Sequence, residues 1–289
     1  VIRSFLNAEG GRLVADEIGE GARTALFLHG GGQTRHAWGG TAQRLAQSGW
    51  RCISMDQRGH GESDWSATGA YRFVDYAADA RAVATVLVAE SGEKPVAVGA
   101  SLGGLSSLLA QGDGATDEPC FRALILVDIV PQMDPRGVEK IQGFMRAHAR
   151  EGFADIAEAA DAVAHYLPHR PRPKSLDGLR KNLRLSPDGR WRWHWDPRFL
   201  EGESSVNAQW REAEALLHRC VSALSVPVLL VRGGASELVT PEAAQAFLDL
   251  APHADYVDVE EARHMVAGDR NDVFSNAVET FLDRLEHAI

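Results

Sequence analysis

Cysteine is scarce in this chain, three residues in 289, at positions 52, 120 and 220. Their odd number and wide spacing exclude a disulfide framework, and the lack of any C-x-x-C excludes a zinc ribbon or a dithiol redox centre. They read as reduced thiols, so the expected location is the cytoplasm. No apolar run approaches the ~20 residues of a membrane span, and the N-terminal stretch alternates around a Gly-Gly turn without a signal-peptide core. Excess positive charge is also missing. Thirty Lys and Arg against forty Asp and Glu give a formal charge of −10, which argues against nucleic acid as the main partner. There is no internal repeat and no low-complexity segment. The glycine loop His29-Gly30-Gly31-Gly32-Gln33-Thr34 lacks both the G-x-G-x-x-G spacing and a Walker lysine, so it is not read as a phosphate cradle. "GDGATDEP" lacks the ligand spacing of an EF-hand and reads as an exposed loop. The expected partner is a small-molecule substrate, with no nucleic acid, no membrane, no cofactor and no metal.

Short apolar runs recur at TALFLH, RCISMD, PVAVGA, RALILVD, VPVLLVR and ADYVDVE, most of them separated by amphipathic helical stretches. That alternation predicts an α/β fold with a mostly parallel sheet and helices on both faces. Residues 131–225 break the rhythm with helical patterns punctuated by proline and no good strand. The segment is too long for a loop and is read as a helical cap inserted into a core of residues 1–130 and 226–289. Within it, "WRWHWD" places Trp191, Trp193 and Trp195 on one side of an extended stretch. They form either a cap-packing cluster or an aromatic wall over a substrate, with Trp38 and Phe144 as further wall residues. The basic run "HRPRPK" reads as a solvated face.

"PVAVGASLGG" poses the functional question. A strand ends at Gly99 and an apolar helix begins at Leu102, which leaves Ser101 at the joint inside G-x-S-x-G. A strand turning abruptly into a helix brings two backbones together, and Gly99 and Gly103 have no Cβ to clash there. The serine hydroxyl is then pushed out beside the N–H groups of a helix start. Ligands of open α/β sheets bind beyond the carboxyl ends of strands. Gly30 and its glycine neighbours let the backbone approach a bound carbonyl at that edge, and one N–H from that loop with that of Leu102 would make an oxyanion hole. A serine nucleophile needs a base, and the base needs an acid. His264 follows the last strand and lies at the same edge. Glu237 and Asp128 both follow strands there. Glu237 is preferred because its loop follows the strand just before the one that delivers His264.

Four motifs together resemble the α/β-hydrolase superfamily over nearly the whole chain: His29-Gly30, the DQRGHGES loop at residues 56–63, the elbow around Ser101, and the late ARHMVAGDRND. The resemblance implies Ser101 as nucleophile, His264 as base and the N–H groups of Gly31 and Leu102 as oxyanion donors, with Asp56 and Arg58 architectural. The chain departs from the family's pattern where the usual aspartate after the seventh strand is replaced by Glu237. It also carries serine where relatives that open epoxides or displace halide use aspartate. The expected activity is that of a carboxylesterase-like serine hydrolase. The alternatives on the same scaffold are a non-catalytic binding protein and a carbon–carbon bond hydrolase.

Overall fold

The strands Thr24–Leu28 (β3), Val96–Ala100 (β5), Ala123–Val127 (β6) and Val228–Gly233 (β9) are apolar at nearly every position, as strands covered on both faces must be. In the computed structural model, which describes residues 1–112, 118–170 and 175–287, they form the centre of an eight-stranded sheet. Its other strands are Ile2–Leu6 (β1), Arg12–Ile18 (β2), Arg51–Met55 (β4) and Asp255–Val259 (β10), in the order β1-β2-β4-β3-β5-β6-β9-β10. β2 is antiparallel to β1 and β4, and the remaining neighbours are parallel.

Period-two alternation divides the central strands between two cores. Leu26, Leu28, Ala97, Leu124 and Leu126 face one side, where Phe73–Ser91 (α2), Leu102–Gly112 (α3), Trp210–Ser222 (α7) and Pro241–Leu250 (α8) pack. Ala25, Phe27, Val96, Val98 and Ile125 face the other, covered by Gly39–Gln47 (α1) and Asn271–His287 (α10). Every parallel strand therefore runs its carboxyl end toward the same edge.

Residues 131–225 lie between β6 and β9. They contain Pro135–Ala147 (α4), Ile156–Tyr166 (α5) and the short Asp177–Arg180 (α6). Contrary to the expectation of no strand, Leu183–Leu185 (β7) pairs antiparallel with Trp191–Trp193 (β8). At three residues each, with arginine in the middle, these strands are too short to show a period. α7 packs directly against α3, with the Gly112 position pressed on Cys220. Most of the GDGATDEP and HRPRPK stretches (residues 113–117 and 171–174) lies outside the described residues. Among the described residues no helix is long and apolar enough to cross a membrane, and no disulfide joins the cysteines.

Candidate active site

Ser101 sits between β5 and α3 with φ at 47°, a left-handed backbone that costs a non-glycine residue ~1–3 kcal/mol and persists only where the surroundings impose it. The surroundings here are two glycines. A Cβ on Gly99 would lie 2.5 Å from the Gly103 backbone, and one on Gly103 would collide with the Leu28 carbonyl. Gly103 N–H donates to His29 O (3.1 Å) and Leu105 N–H to Ser101 O (2.9 Å), so strand, turn and helix are stitched together under the serine.

The glycine loop follows β3. Gly30 N–H donates to Gln33 Oε1 (3.1 Å), and Gly32 N–H donates to His60 Nε2 (3.1 Å). Gly31 N–H has no acceptor among the described residues, and neither does Leu102 N–H at the start of α3. Both residues line the same cavity as Ser101 and His264. Two uncommitted donors, one of them at the positive end of a helix dipole, suit an oxygen that gains negative charge.

His264 comes from the loop after β10. Its Nδ1–H donates to Asp128 Oδ2 at 2.8 Å, which leaves Nε2 unprotonated and available as a base. Asp128 immediately follows β6 with φ at 50° and is fully buried. Its carboxylate also accepts from Gly233 N–H (2.9 Å) and Ser236 Oγ (2.6 Å). Ser101 Oγ and His264 face the same cavity without a direct hydrogen bond between them, and such a contact commonly tightens only in the Michaelis complex.

The preference for Glu237 as the partner of His264 is thereby corrected. The loops after β9 and β10 do lie side by side, joined by Gly234 N–H to Val259 O and Ala235 N–H to Ala262 O. However, the residue of that loop that bonds Asp128 is Ser236, and the one that lines the cavity is Leu238. Glu237 makes no hydrogen bond to His264 and accepts instead from Lys140 of α4 at 2.8 Å. Burial opposes its ionisation, but the Lys140 hydrogen bond, its own N–H and the charges of Lys140 and Arg263 hold its carboxyl below the usual range. Chain adjacency located the loop but carried no information on where each side chain points.

The cavity measures about 980 Å³, at the upper end of ligand pockets. Gly30, Trp38, Phe144 and Trp193 all contribute to its wall. Trp38 is almost fully buried against Phe27 and Phe274, and Phe144 stacks on Tyr166 at 4.1 Å. Trp195 lines the cavity as well, and Trp191 does not. Sequence reasoning missed Met145, Phe199 and Trp210, which complete much of the apolar wall and carry no motif. Asp56 and Arg58 are buried structural ions: Asp56 holds Arg35, and Arg58 forms a two-pronged pair with Asp79.

A family model described as the alpha/beta hydrolase fold matches residues 25–270. The chain is 29% identical over 280 residues to the esterase Rv0045c of Mycobacterium tuberculosis, covering 95% of this chain and 88% of that protein. It is 28% identical to the 2-(acetamidomethylene)succinate hydrolase of Mesorhizobium japonicum, covering 89% and 87%. A crystal structure of E-2-(acetamidomethylene)succinate hydrolase superposes with a TM-score of 0.82 at 25% identity over 98% of this chain and 99% of that one.

Proposed function

The chain belongs to the α/β-hydrolase family and is a hydrolase, and from that premise we propose that it cleaves a small ester, thioester or related carbonyl compound through an acyl-enzyme on Ser101. The observation that carries this reading is one cavity lined by an elbow serine, a histidine bonded to a buried aspartate, and two backbone donors that have no acceptor among the described residues. His264 Nε2 takes the Ser101 proton as Oγ attacks the carbonyl carbon. Asp128 holds the imidazole tautomer and balances the imidazolium charge. Gly31 and Leu102 N–H groups receive the oxyanion. The imidazolium then protonates the leaving group, and a water activated by the same nitrogen releases the acid and restores the serine.

The apolar wall suits a hydrocarbon portion of the substrate. Residues 131–225 act as a cap: Phe144 and Met145 of α4 and Trp193 of β8 line the cavity, and they set substrate range. The names of the esterase and hydrolase relatives support the carboxylesterase-like assignment, and the thiols, which form no disulfide, support a cytoplasmic location.

A fluorophosphonate probe tests the mechanism. It is expected to label Ser101 in the native chain and to leave Ser101→Ala unlabelled. That variant should lose turnover of short aryl esters by ~10³-fold or more. Hydrolysis near the native rate in Ser101→Ala would overturn the assignment.

A further inference from the structure

Three imidazoles behind the oxyanion loop have no part in the proton transfers above. His29, His60 and His194 are each buried, with ring centroids 5.1 Å apart from His29 to His60 and 5.8 Å from His60 to His194. His29 follows β3, His60 lies in the loop after β4, and His194 follows β8 in the inserted segment.

Each ring is bonded through both nitrogens to backbone, with one nitrogen facing a carbonyl and the other an N–H. His29 Nδ1–H donates to Gly30 O (2.8 Å), and its Nε2 accepts from Gln57 N–H (3.0 Å). His60 Nδ1–H donates to Arg58 O (3.0 Å), and its Nε2 accepts from Gly32 N–H (3.1 Å). His194 Nε2–H donates to Gly32 O (3.2 Å), and its Nδ1 accepts from Gly61 N–H (2.6 Å). This pattern admits only the neutral imidazole, because a second ring proton would confront a backbone N–H. Burial works the same way, pushing His29 down to about 4 and His60 to about 3.

The three rings fall on three successive peptide planes of the oxyanion loop. A trans peptide points its C=O and N–H in opposite directions. Gly30 O is held by His29 and by Gln33 N–H (3.0 Å), so the Gly31 N–H of that same plane is turned away from them. His60 fixes the next plane by its N–H and His194 the one after by its C=O. We infer that His29, His60 and His194 form a clamp that aims the Gly31 N–H, and that His194 is a positioning residue through which the inserted segment sets the oxyanion hole. The role of Gly31 rests on the function proposed above; the clamp itself does not.

The two hydrogen bonds of His194 can be separated. An asparagine places a polar atom near the former Nδ1 and keeps the Gly61 bond. A glutamine reaches the former Nε2 and keeps the Gly32 bond. His194→Asn should lower kcat on a short aryl ester, with KM little changed, by about ten- to 100-fold, at or below the ~10²–10³ for deletion of an oxyanion donor. His194→Gln should stay within about threefold of native, since its loop contact survives. Amide hydrogen exchange at Gly32 and Gln33 should accelerate in His194→Asn and not in His194→Gln. Equal exchange in both variants, or faster exchange in His194→Gln, would overturn the clamp. Failure of the serine mechanism would show separately, as a native protein that fluorophosphonate does not label, and the exchange comparison would still decide the clamp.

Discussion

Replacing Asp128 by asparagine isolates the choice of acid, because the two side chains have nearly the same shape. The carboxylate accepts three hydrogen bonds at 2.6–2.9 Å with no exposure to water. If the amide oxygen of the variant keeps Gly233 N–H, its NH₂ group faces Ser236 Oγ and His264 Nδ1. Ser236 Oγ already accepts from Leu238 and Val239 N–H groups, so the new donor is poorly received there. Losing bonds to a charged acceptor should cost about 2–4 kcal/mol of stability. At His264 the NH₂ group can bond only a deprotonated Nδ1, which moves the ring proton to Nε2, where it blocks the uptake of the Ser101 proton. A wrong tautomer in such a triad costs ~10⁴ in kcat, or about 5.5 kcal/mol of barrier. Glu237→Gln provides the comparison. It removes a half-exposed pair with Lys140 worth ~0–1 kcal/mol and breaks no hydrogen bond of His264 or Asp128. Its kcat should stay within about threefold of native. The assay is kcat and kcat/KM on a short aryl ester with thermal melts of both variants. A large loss in Glu237→Gln beside near-native turnover in Asp128→Asn would refute the assignment.

Acid should destabilise the fold through the buried imidazoles. Their native affinities for protons lie far below the ordinary value of ~6.5, so between pH ~6.5 and ~4 the unfolded chain binds more protons than the native one and stability falls as pH falls. Each ring contributes up to about 1.4 kcal/mol per pH unit in that window, which urea midpoints at pH 7 and pH 5 would measure; equal midpoints would contradict it. Gly103→Ala should lower stability by about 3 kcal/mol or more, since its methyl group would meet the Leu28 carbonyl; a melting temperature within a degree of native would show that the elbow is looser than described. Trp193→Ala should open the cavity beside Phe144 and shift kcat/KM toward longer acyl chains by about tenfold. An unchanged chain-length profile on an aryl ester panel would remove Trp193 from the substrate wall.

Much of the molecule was legible in the residues because it depends on local or short-range rules. Apolar strands such as ALILV and VLLVR, alternating with amphipathic helices, leave few arrangements other than a parallel sheet covered on both faces. The elbow was legible because two close backbone approaches admit only glycine, and that requirement is written into five consecutive residues. Strand ends gather at one edge in such a sheet, so His264, Asp128, Ser101 and the glycine loop could be assigned to one site from chain order alone. Tertiary structure alone decided which acid reaches the histidine. The loop holding Glu237 does run beside the loop holding His264, but Lys140 from the inserted segment draws that carboxylate away, while the left-handed turn at Asp128 aims its own inward. The short β7–β8 hairpin and the clamp of His29, His60 and His194 were equally hidden. Their partners are backbone atoms up to 162 residues away in sequence, and a contact between a side chain and a distant carbonyl leaves no pattern in the order of residue types.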